Sequence, residues 1–207
     1  PVDETTGLPT VTAENSPYGS VYGEGRVKLV EKKSFDDVPA GSYYAEPVAW
    51  AQEEGITIGV GDNNFNPTGS LRRSQIVVML WRAAGEPKAA NAVNPFSDVA
   101  ESDYYYDAVL WAVEEGITCG VSATKFAPGG VASRAQTVTF LWRYLDQPES
   151  TTTASFSDVV AGKWYEAAIN WAVENSITLG MGNGTFGVDV TCTRAHAVTF
   201  LYRALAE

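Results

Sequence analysis

Phe96 to Arg143 reads FSDVAESDYYYDAVLWAVEEGITCGVSATKFAPGGVASRAQTVTFLWR, and the same pattern recurs without a gap from Phe35 to Arg82 and from Phe156 to Arg203. Phe35, Phe96 and Phe156 head the copies, 61 and 60 residues apart, and Trp50, Trp111 and Trp171 keep the same spacing, as do Phe65, Phe126 and Phe186. A self-similarity of this kind is read before any single element, because it makes each copy a supersecondary unit that leans on its neighbours. A unit of roughly 50 to 60 residues is marginal alone, so the three copies are expected to share a core. The expected boundaries are residues 1–33 as a linker or the end of an upstream domain, then repeats at 34–94, 95–154 and 155–207.

Within a copy the order is fixed. After F-x-D-V comes a helix whose apolar stripe is Tyr105, Ala108, Val109 and Ala112, echoed by Tyr165, Ala168, Ile169 and Ala172, the i, i+3, i+4, i+7 pattern of one buried face. Pro47 in the first copy is tolerable only in a first helical turn, so that helix is expected to start late. Gly55 and Gly116 suit a left-handed helix end, and Ser176 replaces them in the third copy. A loop with Gly59, Gly120 or Gly180 follows, flanked by two short extended pieces. A second helix then starts near Arg73, Arg134 and Arg194, with stripes Val77, Leu80, Trp81; Val138, Leu141, Trp142; and Val198, Leu201, Tyr202. The fold class is mainly α, each copy a helical hairpin with a long loop, joined by polar, Pro-containing connectors at 83–94 and 144–155. Residues 1–33 share nothing with the repeats, though Arg26 to Val30 alternates as a short strand would.

Charge and composition exclude several functions. The 207 residues carry a formal charge of −11, which repels nucleic acid and anionic membrane surfaces at long range. No run approaches the roughly 18 apolar residues of a membrane span. A chain opening at Pro1 reads as a mature or excised piece, so the missing leader carries no information on export. Cys119 and Cys192 fall in slots that the other copies fill with Ile58 and Leu179, and with Leu71 and Ala132. Both are read as buried thiols acting as small hydrophobes, with a disulfide or a reactive thiol as the alternative. No cofactor or metal motif is present, and neither G-x-S-x-G nor H-E-x-x-H occurs. Glu53–Glu54 and Glu114–Glu115 are sequence neighbours that point apart on a helix, not a pair facing across a cleft as a glycosidase needs. Triplicated polar features favour multivalent binding over catalysis, so no enzyme is expected.

The helix start carries the chemistry. Ser133 and Gln136 fit a capping box, Thr193 keeps the hydroxyl, and Arg72 loses it in the first copy, which leaves Ser70 or an irregular start. Capping does not explain Arg73, Arg134 and Arg194, because a cation at a helix N-terminus costs roughly 0.3 to 1 kcal/mol against the dipole. Each arginine faces either an internal carboxylate, Asp37, Asp98 or Asp158 of F-x-D-V, or an external anion received by its planar fork together with free helix amides. Trp50, Trp111 and Trp171 stand at core spacing. Tyr43, Tyr104 and Trp164 sit among polar residues at the helix entry, where an aromatic ring either packs inward or stacks on a sugar. His196, the lone histidine, reads as a polar helix-start residue.

F-x-D-V, the helix ending E-E-G-I, the G…F-x-P loop and the [ST]-R-A-[EQ] helix start together resemble the S-layer homology repeat, in three consecutive copies over about residues 34 to 207. The resemblance implies a pseudo-threefold bundle with one helix of each copy at a central axis and grooves between copies. It also implies non-covalent anchoring of an exported protein to the bacterial cell surface, through an anionic secondary cell wall polymer that often carries pyruvylated amino sugars. A cell wall polysaccharide and an upstream domain of the same polypeptide are the partners it implies. Carried over, its ligand-binding positions are Arg73, Arg134 and Arg194 with the hydroxyls Ser133 and Thr193, the glycines Gly59, Gly120 and Gly180, and the aromatics Tyr43, Tyr104 and Trp164. The family's Glu is Gln75, Gln136 and His196 here, Arg72 replaces a hydroxyl, and Val188 stands where Pro67 and Pro128 do. These departures place the Arg134 and Arg194 grooves ahead of the Arg73 groove, with a protein-interaction or purely structural role in a surface layer as the alternative.

Overall fold

The computed structural model describes residues 34–90 and 93–206; the linker expected at 1–33 and its strand lie outside them. Among the described residues six helices follow one another: α1 (Ala45–Glu53), α2 (Arg73–Ala83), α3 (Tyr106–Glu114), α4 (Arg134–Tyr144), α5 (Glu166–Glu174) and α6 (Arg194–Leu205). Among the described residues the loops form only isolated bridges, such as Arg72 with Val131 and Ser133 with Thr191, so the expected extended pieces do not become strands. The helices form where their stripes require. Ala108, Val109 and Ala112 of α3 and Val138 and Leu141 of α4 are fully enclosed, and each large apolar side chain so buried contributes about 1.5–3 kcal/mol.

Two sequence expectations need correction. Helix α1 begins at Ala45, the position equivalent to Tyr106 and Glu166, so Pro47 does not delay it. Pro47 is the third helical residue, where its missing N–H is one of the donors that have no intrahelical partner anyway. The second correction concerns packing. Close helix contacts run between copies, α2 on α3, α4 on α5 and α1 on α6, with α4 also touching α2 and α6. The two helices of one copy therefore do not form a packed hairpin. Instead the loop between them reaches another copy: Phe126 lies against Arg73, Phe186 against Arg134 and Phe65 against Arg194. The left-handed helix end is adopted by Gly55, Gly116 and, at φ 57°, by Ser176 as well.

What joins the copies is a ring of backbone hydrogen bonds just before the long helices. Leu71 N donates to Cys192 O at 2.8 Å, Cys192 N to Ala132 O at 2.9 Å, and Ala132 N to Leu71 O at 2.8 Å. A second ring lies one turn on, where Arg73 N donates to Gly130 O, Arg134 N to Val190 O and Arg194 N to Gly69 O. In each ring three loops far apart in sequence satisfy one another's buried amides, which would otherwise be left as costly orphans. Cys192 contributes its backbone here and is fully buried, as expected. Cys119 is a correction: it is a free, exposed thiol, at a slot where Ile58 and Leu179 are exposed too.

Candidate functional site

Each copy's F-x-D-V folds back onto its own loop. Phe35 meets Phe65 with ring centres 5.8 Å apart, Phe96 meets Phe126 at 5.7 Å and Phe156 meets Phe186 at 5.8 Å. The aspartate two residues on then caps that loop. Asp37 accepts the N–H groups of Phe65 and Asn66, Asp98 those of Phe126 and Ala127, and Asp158 those of Phe186, Gly187 and Val188. Asn66 and Ala127 have positive φ, a conformation a side chain resists, and the carboxylate pins it. Burial pushes the Asp98 and Asp158 carboxyls up, but the donated amides outweigh it and hold both below the usual carboxylate range.

The arginines engage the opposite end of the same peptide units, in the following copy. Arg73 Nε donates to Phe126 O at 2.9 Å, Arg134 Nε to Phe186 O at 3.1 Å, and Arg194 Nε to Phe65 O at 2.7 Å. They are only 5, 3 and 4 % exposed. Arg73 and Arg134 are each stacked between two phenylalanines, Phe126 and Phe140 or Phe186 and Phe200, and Arg194 lies 4.6 Å from the Phe65 ring centre. Burial pulls all three guanidinium pKa values below their ordinary range. Of the two expected partners, the internal carboxylate is not the one found: Arg73, Arg134 and Arg194 do not pair with Asp37, Asp98 or Asp158, and carboxylate and guanidinium instead share a phenylalanine peptide, one taking its N–H and the other its C=O.

The first amides of α2 and α6 are also spoken for, against the expectation that they stand free. In α2 the first three donate to Gly130, Pro128 and Arg72 carbonyls; in α6 they donate to Gly69 O, Pro67 O and the Thr193 hydroxyl. Ser133 takes Gln136 N while Gln136 Oε1 accepts Ser133 N, a complete capping box. Arg72 keeps only the half in which Gln75 Oε1 accepts its N–H. Ser133 and Thr193 are thereby committed to their own helices. What is left over is on the guanidinium. Nη2 of Arg73 and of Arg194 is buried without a hydrogen-bond partner, whereas Nη2 of Arg134 donates to Thr178 Oγ1 at 3.2 Å.

Arg194, which carries one of these orphans, lines an open cleft of about 290 Å³. Arg194 comes from the third copy, Tyr104 from the second, and Ile56 to Val60, Gln75, Val78, Met79 and Arg82 from the first. The structure therefore regroups the sequence-predicted residues: Gly59 shares its cleft with Arg194 and Tyr104, not with Arg73 and Tyr43. Gly59 has φ 81°, and a Cβ there would strike Asn64 O and the Phe35 ring; Gly120 and Gly180 face Phe96 and Phe156 in the same way. These glycines let the loop lie against the F-x-D-V ring, which shapes the cleft wall.

Tyr43, Tyr104 and Trp164 are exposed, each held edge-on by the ring of the next residue, Tyr44, Tyr105 or Tyr165. Trp111 and Trp171 are buried and Trp50 is half-buried against Tyr202, which is core packing. Beside Arg134 the arrangement differs. His196 stacks on Tyr43 at 6.1 Å and on Phe200 at 6.4 Å, and burial followed by the Arg134 charge lowers its pKa. Sequence reading missed Arg82 and Thr178, whose surroundings depend on which loop folds over which helix. The departure from Gln to His at position 196, with Ser176 and Val188, was the signal that the third copy is unlike the others.

Comparison with known proteins finds the model of the S-layer homology domain matching residues 34–77, 95–138 and 155–198. An S-layer protein of Bacillus licheniformis is 28 % identical over 82 % of this chain and 19 % of its own length. A surface-layer 125 kDa protein of Lysinibacillus sphaericus is 32 % identical over 67 % of this chain and 12 % of its own. A cell surface protein of Thermoanaerobacter kivui is 34 % identical over 55 % of this chain and 16 % of its own. The chain spans less than a fifth of the length of these relatives.

Proposed function

Because this chain belongs to the S-layer homology family, whose relatives are structural proteins of the bacterial cell surface, we propose that it anchors an exported protein by holding an anionic cell wall polysaccharide against Arg194. The three copies are arranged as a pseudo-threefold bundle with α2, α4 and α6 at the axis, a reading supported by the two cyclic hydrogen-bond rings. Residues 1–33 join this module to the protein being anchored.

The observation that carries the reading is that Arg194, whose buried Nη2 lacks a partner, is one of the residues lining an open cleft. A guanidinium hydrogen left unsatisfied in a desolvated site costs about 1–3 kcal/mol, and a ligand carboxylate removes that cost with a charge-assisted bond. A pyruvyl-ketal amino sugar supplies such a carboxylate on a rigid ring, and Tyr104 offers that ring an aromatic face. Arg73 has the same orphan atom and takes second place. Arg134, whose Nε and Nη2 already have partners, comes last, which moves it behind Arg73 against the order that the departures from the family pattern had favoured.

The test is sedimentation with purified, protein-free cell walls. The Arg194→Ala, Arg73→Ala double variant is expected to lose binding by at least about tenfold, while Arg134→Ala retains most of it. Undiminished binding by a folded double variant overturns the reading. The filled space beside Arg134 favours a second, partial role, in which that face supports self-assembly; oligomers that persist in the double variant would support it.

A further inference from the structure

Arg82 of the cleft is held differently from its counterparts in the other two copies. In the other copies the equivalent side chains are tied to their loops: Arg143 Nη1 donates to Ile117 O at 3.2 Å and Arg203 Nη1 to Ile177 O at 3.0 Å. Arg82 makes no such bond to Ile56. Its Nε lies 3.7 Å from Glu86 on the next turn, with side chains 23 % and 56 % exposed. That is a solvent-screened contact of little strength, and it leaves the rest of the guanidinium facing the cleft that Arg194 lines from the other copy.

The cleft therefore presents two guanidinium groups of opposite character. Arg194 is buried and fixed; Arg82 is partly exposed and held only by a neighbour it can leave. Between them Gln75 and the apolar Val78 and Met79 form the wall, which gives a sugar ring a place to lie but no further charge. At about 290 Å³ the space is at the lower end of small-molecule sites, roughly 300 Å³ upward, so a bound segment is short and its neighbouring unit passes the mouth.

We infer that Arg82 is a specificity-determining residue, receiving a second anionic group of the wall glycan one unit away from the acid held by Arg194. This rests on the proposed role of Arg194 and adds to it the chemistry of the ligand: acidic groups on adjoining units, not an isolated one. Glu86 competes with that second group for Arg82 and acts as a weak gate.

The probes are two synthetic disaccharides of the same amino sugars, one with a single pyruvyl-ketal carboxylate and one with a second carboxylate on the adjoining unit, titrated calorimetrically against the full chain. Arg82→Gln is expected to weaken the two-carboxylate disaccharide about fivefold to tenfold and leave the other within about twofold. Glu86→Gln is expected to strengthen only the two-carboxylate disaccharide, by about twofold to threefold, a gain that misfolding does not produce. Equal effects on both probes, or none on either, overturn the inference. If Arg194→Ala abolishes binding while Arg82→Gln is silent, this inference fails alone; if Arg194→Ala is silent too, the role of the cleft fails with it.

Discussion

The surroundings of Arg194 and of Arg134 start from the same motif and end in different states. Both side chains are buried, both donate Nε to a phenylalanine carbonyl of the following copy, and both lie against aromatic rings. Beside Arg194 the loop threonine, Thr57, accepts only Gly59 N, and the Nη2 of Arg194 is left without a partner. Beside Arg134, Thr178 accepts both Gly180 N and the guanidinium, and His196 fills the neighbouring space between Tyr43 and Phe200. An identical motif thus yields a guanidinium with an unpartnered Nη2 in one place and one whose Nη2 is taken up in another. The difference is a matter of one side-chain hydroxyl and one ring.

The largest effect that bears on this comparison comes from the shared wall. Gly59→Ala puts a Cβ into Asn64 O and the Phe35 ring at φ 81°, and is expected to lower stability by about 3 kcal/mol, read as a fall of several degrees in the melting temperature. Gly180→Ala, facing Thr185 O and Phe156, should cost a similar amount. If only one of the two is destabilising, the walls are not equivalent and the comparison needs another basis.

A smaller effect separates the two sites directly. Thr178→Val removes the acceptor of Arg134 Nη2 and is expected to cost about 1–3 kcal/mol, the penalty of a newly orphaned buried donor. Thr57→Val, which strands no arginine, should cost less by calorimetry. Equal losses would break the distinction drawn here.

His196 gives a pH signature. Its pKa in the folded protein lies below the ordinary value of about 6.5. The unfolded chain therefore takes up a proton that the folded one resists, so stability is complete above about pH 6.5 and declines as pH falls toward the depressed folded value. His196→Gln, which restores the residue found in the other copies, is expected to flatten that decline in denaturant titrations at pH 7 and pH 5. The smallest expected change concerns the cysteines: a maleimide should label Cys119 in the native protein without altering the melting temperature, and reach Cys192, whose thiol burial pushes up to about 11, only on denaturation.

Much of this was legible in the residues. The threefold register of Phe35, Phe96 and Phe156 predicted three copies, and the stripes of Val77 and Leu80 or Val138 and Leu141 predicted long helices starting at Arg73 and Arg134, because an amphipathic period and a cap are local properties. The anomaly of arginine at a helix start was legible too. Its partner was not: Arg194 bonds a residue 129 positions away, and no pattern within a copy says which loop lies over which helix. For the same reason the packed hairpin expected within each copy became packing between copies, and Cys119 came to the surface although its slot is apolar in every copy.

By itself the sequence determined the repeat, the helices, the capping hydroxyls and the placing of charge where a helix does not want it, since each of these depends on residues within a few turns of one another. Only the tertiary structure decided which arginine keeps an unpaired hydrogen, because that is settled by how completely the loop and helix of other copies can satisfy a buried guanidinium, and desolvation acts on the assembled surroundings of a group and not on its motif.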